Sequence, residues 1–199
     1  MIKIVYFLWC CLLTVSVEGQ ALNDTFGPTE HLLPEKLKLR QKILWGPKGL
    51  LRISGIAPLS AEGRAKELKL RRRMLDAHQV TGYLTFGSMC VALITGHQLS
   101  AGQDQINPLH RDLAAWLGVG YLTSATLSLA APPPQVIRDQ GLVNTRSVHQ
   151  TLATVHRGAM LIALVAGTQI GQDGDDRLHQ WAAYTAFGAF ATAIIVIKL

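Results

Sequence analysis

Three apolar stretches of the chain open on the same phrase, a histidine followed nine residues later by a glycine: His78 and Gly87 in AHQVTGYLTFG, His149 and Gly158 in VHQTLATVHRG, His179 and Gly188 in LHQWAAYTAFG. A fourth stretch, LHRDLAAWLGVG, carries His110 with Gly118 and Gly120, one residue to either side of that spacing. A neutral imidazole ligates metal centres through either ring nitrogen. Ionisable side chains in membrane-like apolar sequence are rarely placed without a partner or a task. Four helices that each open on a histidine therefore suggest a cofactor held between helices.

The elements that must position these residues are legible in the distribution of charge. No charged residue occurs from Gln79 to Thr95, from Leu113 to Ile137, from Gly158 to Gln172 or from Gln180 to Ile197. Each run approaches the ~20 residues that cross a hydrocarbon core at 1.5 Å per residue. Apart from glutamines near their ends, their polar content is Gly, Ser, Thr and Tyr, with the histidines outside them, and the small polar residues among them are those that membrane helices use to contact one another. With 49% hydrophobic residues and a mean hydropathy of +0.23, the chain is expected to be all-α. The architecture expected is a transmembrane up-and-down four-helix bundle, with spans at about 77–98, 110–131, 148–170 and 179–198 in a domain covering 61–199. The third span is the weakest, because it must reach back through Arg157 and His156.

The amino terminus reads differently. Lys3, the run IVYFLWCCLLTVSV, and Val17-Glu18-Gly19 give a basic start, a short apolar core and small residues at a cleavage position, so residues 1–19 are expected to be a signal peptide. Residues 20–60 form a basic segment in which Leu37, Leu39, Ile43, Leu44 and Trp45 alternate with Lys36, Lys38, Arg40 and Lys42. That mixture suits a helix in the membrane interface, or a solvated tail folded on the bundle. Cys90 is the one cysteine beyond the leader, which excludes an internal disulfide, and no C-x-x-C-H occurs for covalent haem attachment.

Threading the spans up and down assigns the histidines to sides. His78 and His149 open the first and third spans on the near side, from which the first span departs. His110 and His179 open the second and fourth on the far side. That makes two bis-histidine sites, one per face. A glycine permits close approach to a planar cofactor. Nine residues is about 13 Å of helix, so each glycine would border the site of the opposite leaflet. Close helix packing alone also explains such glycines.

At this point residues 76–198 resemble the cytochrome b561 type of transmembrane electron carrier. The matching parts are His78 with Thr81-Gly82, Leu109-His110, His149 with Gly167, and His179 with Phe187-Gly188. The resemblance implies two b haems in a four-helix core, with His78 and His149 ligating one iron and His110 and His179 the other. The chain lacks the additional helix on either side of the core that animal and plant members carry, so it resembles a minimal form. His156 is an alternative ligand to His149, and His97 to His110; His31 is expected to be solvated.

Arg71, Arg72 and Arg73 precede the first span, and Arg64, Lys66, Lys69, Arg138 and Arg146 share its side, against Arg111 and Arg177 on the far side. The positive-inside rule would make the near side cytoplasmic, whereas a signal peptide would send it outward. The signal is given more weight, because the arginine triplet has another use: pairing with haem propionates or attracting an anionic electron donor, such as ascorbate or an acidic redox protein. The function expected is electron transfer across a membrane, as a transmembrane oxidoreductase linked to ascorbate, quinol or ferric iron, alone or as a subunit of a larger redox complex. Two other readings stay open, a metal-ion-binding transporter or chaperone and a cofactor-free structural subunit. No hydrolase, nucleotide-binding or nucleic-acid signature is present: Gly118 and Gly120 lie in an apolar helix without the rest of a dinucleotide fingerprint.

Overall fold

Ser60 sets the start of the longest element. Its hydroxyl accepts from the Gly63 amide at 3.1 Å, with Glu62 in the first turn, the arrangement that satisfies orphan amides and complements the helix dipole. In the computed structural model, which describes residues 32–135, 144–170 and 176–198, six α-helices follow one another with no strand among the described residues. They are α1 (Leu39–Trp45), α2 (Leu50–Ile53), α3 (Ala61–Ser100), α4 (Asn107–Ala130), α5 (Thr145–Gln169) and α6 (Asp176–Lys198). The expected signal peptide and His31 lie outside the described residues.

At forty residues, α3 is about 60 Å long, twice the thickness of a hydrocarbon core. Its first half is charged and its second half apolar, with no break between them. A turn through Gly102, whose φ of +83° favours glycine, and a short 3₁₀ turn at Asp104–Ile106 return the chain into α4. Pro108 sits in the first turn of α4, where a missing amide is harmless. Pro132-Pro133-Pro134 then end the excursion. Asn144 caps α5, its side-chain oxygen accepting from Ser147 at 2.8 Å.

Two antiparallel hairpins result, α3 with α4 and α5 with α6, and α3 also packs against α6. All four helices feed one core: Met89 from α3, Leu117 and Tyr121 from α4, Ala159 and Met160 from α5, Ala186 and Phe190 from α6. The alanines let backbones approach. Outside this core the large apolar side chains face away from the protein, with Leu122 66%, Leu161 64% and Trp181 72% exposed. Contiguous apolar surface of this kind is what a lipid-facing helix presents. Hydroxyls inside the helices return to their own backbone, Thr85 to Thr81, Ser88 to Leu84, Thr123 to Val119 and Thr192 to Gly188 at 2.7–3.0 Å, which removes unsatisfied polar groups.

Three helical segments, Asp104–Ala130, Thr145–Gln169 and Asp176–Ile197, are long and apolar enough to cross a membrane. The first expected span, 77–98, is not among them. Its length is ample, but Gln79, Thr81, Tyr83, Thr85, Ser88, Thr95 and His97 dilute its hydropathy, and the charged half of α3 precedes it without interruption.

The segment before α3 is built onto the bundle. Trp45 Nε1 donates to the Ala130 carbonyl at 2.8 Å, and Lys38 Nζ to Gln150 Oε1 at 2.5 Å, so α1 reaches from the end of α4 to the start of α5. Glu67 on α3 pairs with both Arg52 and Arg64, all three nearly buried. Arg64 continues to the Leu32 and Pro133 carbonyls at 2.7 and 3.3 Å, and Arg71 to the Pro132 carbonyl at 2.6 Å. The charged half of α3 is thus a post on which the near-side elements are fastened.

Candidate functional site

The four histidines that open the apolar stretches share one mode of attachment, each ring being held by the other helix of its own hairpin. On α3, His78 Nδ1 lies 2.9 Å from the Ser124 carbonyl of α4 and 2.9 Å from the Ser124 hydroxyl, which itself reaches the His78 carbonyl at 3.3 Å. On α5, His149 Nδ1 lies 2.9 Å from the Ala193 carbonyl of α6. On α6, His179 Nδ1 lies 2.8 Å from the Ala163 carbonyl of α5. On α4, His110 Nδ1 lies 3.0 Å from the Thr95 hydroxyl of α3, with the Ala92 backbone as a further partner.

These contacts fix the tautomer. A carbonyl oxygen only accepts, so Nδ1 carries the proton in His78, His149 and His179. The Thr95 hydroxyl is 3.1 Å from the Val91 and Ala92 carbonyls; donating its one proton there leaves it to accept from His110 Nδ1. In all four rings the lone pair then sits on Nε2. Histidines that bind metals are oriented in this way, with the second nitrogen donating to a carbonyl or carboxylate.

On the far side the two rings are adjacent. His110 and His179 have centroids 6.2 Å apart and planes at 84°. Metal–imidazole bonds of about 2 Å put two rings on opposite sides of one metal centre about 6 Å apart, so this spacing suits a single centre between them. Glycines back both rings. A Cβ at Gly96 would lie 3.1 Å from His110 Cε1, and one at Gly167 would lie 3.0 Å from both Cε1 and Nδ1 of His179. Gly82 and Gly120 instead serve the contact between α3 and α4, facing the Ser124 and Thr85 hydroxyls. Around Gly87, Gly158 and Gly188, the glycines singled out by the nine-residue spacing, nothing lies within 4 Å of an added Cβ.

On the near side His78 and His149, from opposite hairpins, lie within electrostatic range of one another. His156 lies deeper, at 9% exposure. Its Nδ1 is 2.6 Å from the Tyr121 hydroxyl, and its ring stands 4.8 Å from Phe190 and 5.6 Å, edge-on, from Tyr121. Phe86 stacks on Phe187 and Phe190 at 5.2 and 6.2 Å in the same layer. His156 is therefore enclosed in the aromatic core between the two histidine levels, a setting different from that of the other four. Sequence reasoning missed Tyr121; the available signal was a phenol in mid-helix, which requires a hydrogen-bond partner.

The chain matches no protein-family model, no curated protein and no solved structure.

The arginine triplet divides. Arg71 is partly buried against Pro132, while Arg72 and Arg73 are exposed. Burial pushes the Arg71 guanidinium below its ordinary value, and Arg146, Arg40 and Arg64 push it further. His97 is exposed in the last turn of α3, away from the pair formed by His110 and His179. Among the described residues, no three His, Cys, Asp or Glu side chains gather into a metal-binding cluster.

Proposed function

We propose that this protein is a multi-pass membrane cytochrome of the b561 type, carrying electrons across a bilayer between two b haems near opposite faces. The observation that carries the reading is the shared orientation of His78, His110, His149 and His179, each with Nδ1 engaged across its hairpin and Nε2 bearing the lone pair. Paired imidazoles suit an iron whose four remaining positions a macrocycle fills, whereas a bare metal ion held by protein alone commonly takes four protein ligands. The 6.2 Å separation of His110 and His179 fits one such centre. The groups present fit the cofactor at the far side, and at the near side His78 and His149 are the corresponding residues.

When bound, the haems supply the redox chemistry. The chain's own contribution is to hold the ligands, exclude water and set the electrostatics. Ser124, Ala193, Ala163 and Thr95 fix the imidazole tautomers. The Phe86, Phe187 and Phe190 stack with the pair Tyr121 and His156 fills the interior between the two levels with aromatic rings and one satisfied polar contact. Arg71, with exposed Arg72 and Arg73, supplies positive charge at the near side for propionates and for an anionic small-molecule or protein donor. In this reading α3 is the fourth span of the bundle, its polar residues facing the cofactors, and the near side is extracytoplasmic.

The test is the reduced-minus-oxidised absorption spectrum of the detergent-solubilised protein with a pyridine haemochrome count. A sharp b-type α band with two haems per chain supports the proposal. One haem restricts it to a single face, and no haem from cells supplied with haem precursors defeats it.

A further inference from the structure

Two arginine groups on the near side are treated in opposite ways. Arg52 and Arg64 converge on Glu67, which answers both charges. Arg40 on α1 has no such partner. Its Nε is buried without a hydrogen-bond partner among the described residues, as is that of Arg52, but Arg52 has the Glu67 carboxylate, whereas the charges that reach Arg40 are those of Arg157 and Arg146 on α5. Lys38, two residues earlier and bonded to Gln150, feels Arg40 and Arg146, and Arg71 feels Arg146 and Arg40. No ion pair among the described residues offers this group a carboxylate.

The geometry that gathers these charges is not accidental to a floppy tail. Trp45 fastens one end of α1 to Ala130, and Lys38 fastens the other to Gln150, so Arg40 is carried onto the α5 arginines by a docked helix. Arg157 turns back along α5 through its bonds to the Ala153 carbonyl and Thr154 hydroxyl at 2.8 and 3.3 Å, which brings its guanidinium toward Arg40. Like charges held together without counter-charge destabilise the fold. Guanidiniums at such a point are suited to bidentate recognition of phosphate or carboxylate.

We propose that Lys38, Arg40, Arg71, Arg146 and Arg157 form a binding site for a multivalent oxyanion of the phosphate type, closed over by α1. The source is either a free anion or the headgroup of an anionic phospholipid. The exposed Leu39 and Ile43 on α1, 74% and 51% accessible, place this helix where headgroups lie. The site shares Arg71 with the haem reading and does not depend on it.

Thermal unfolding of the full-length protein in detergent tests this, with haem content measured in parallel. Inorganic phosphate is compared with chloride at matched ionic strength, and nanodiscs of phosphatidylglycerol with nanodiscs of phosphatidylcholine. Stabilisation by phosphate that needs about tenfold more ligand in Arg40→Gln/Arg146→Gln supports the site with a free oxyanion. Stabilisation by phosphatidylglycerol alone, reduced in the same variant, supports it with a lipid headgroup. Arg40→Lys, which keeps the charge and loses the fork, is expected to fall between and serves if the double variant does not fold. Exposed Arg111→Gln on the far side is the control and should respond to phosphate and phosphatidylglycerol as wild type does. Absence of both stabilisations, or equal stabilisation of wild type, Arg40→Lys and the double variant, overturns the proposal whatever the haem content.

Discussion

Replacing Gly167 by alanine is the sharpest probe of the far-side histidine pair. The added Cβ would stand 3.0 Å from both Cε1 and Nδ1 of His179, about half an ångström inside the ~3.5–4.0 Å at which such atoms attract. The ring cannot simply retreat. Its Nδ1 is tied at 2.8 Å to the Ala163 carbonyl on the same helix as Gly167, so backing away from one residue draws it off the other. An N–H···O contact stretched by that half ångström lies just past the distances at which such bonds are usually found and is weakened. Loss of the outer partner of a metal-binding imidazole typically lowers affinity about 10- to 100-fold, or about 1.4–2.7 kcal/mol. If the proposed haems are bound, Gly167→Ala is therefore expected to hold the far-side one about 10- to 100-fold more weakly, with the near-side one unaffected. The assay is a pyridine haemochrome count after competition with a haem-scavenging protein, alongside the low-spin spectrum. Wild type should keep both haems while the variant falls toward one. Gly118→Ala, where nothing lies within 4 Å, controls for substitution of a helical glycine. Full retention of both haems with an unchanged spectrum in Gly167→Ala would refute the reasoning.

Other outcomes follow from contacts elsewhere. Glu67→Gln leaves Arg52 and Arg64 nearly buried without their counter-charge and should lower unfolding stability by about 3–5 kcal/mol, measured by reversible denaturation in detergent. Tyr121→Phe removes the partner of buried His156 and should cost about 1–3 kcal/mol; the haem count should stay unchanged if His149 is the near-side ligand, and its loss would transfer that role to His156. Ser60→Ala removes the cap on α3 and should cost about 0.5–2 kcal/mol, visible as a lower midpoint. Glu62 is held below the usual carboxylate value of 4.5 by its hydrogen bond and ion pair with Lys66. A depressed folded value contributes stability above the unfolded pKa that is lost as pH falls through the folded one. Acidification below about pH 4.5 should therefore narrow the difference between wild type and Glu62→Gln, read as melting temperature against pH.

The histidine positions were legible because span alternation is a counting argument. Once Gln79–Thr95, Leu113–Ile137, Gly158–Gln172 and Gln180–Ile197 are read as helices, His110 and His179 must share an end, and their rings do lie 6.2 Å apart. The glycines were harder. The nine-residue register drew attention to Gly87, Gly158 and Gly188, yet it is Gly96 and Gly167 that lie against histidine rings, because the residue that matters belongs to the facing helix and its register depends on how two helices slide together. Long-range partnership hid the rest. Nothing local in Tyr121 names His156 thirty-five residues away, and Arg40, Arg146 and Arg157 become one cluster only when α1 docks on Ala130 and Gln150. The first span, 77–98, falls within one forty-residue helix, yet its polar side chains keep it less apolar than its neighbours, so length and the absence of charge do not by themselves measure apolarity.

The attachment of each histidine across its own hairpin repeats along the chain. His149 follows His78 by 71 residues, Gly167 follows Gly96 by 71 and Ala163 follows Ala92 by 71, while His179 follows His110 by 69 and Ala193 follows Ser124 by 69. The backbone contacts that seat the rings of the first hairpin thus have counterparts in the second, whereas the Ser124 and Thr95 hydroxyls do not, Ala193 and Ala166 standing at the matching positions; the two-residue difference is taken up between the helices of each hairpin. The chain follows one hairpin plan twice, with the positions that seat the rings in matching register. That repetition gives the two histidines at each level matched mounts, each ring set on a backbone group of its own hairpin, so the two hairpins contribute one ligand apiece to both levels.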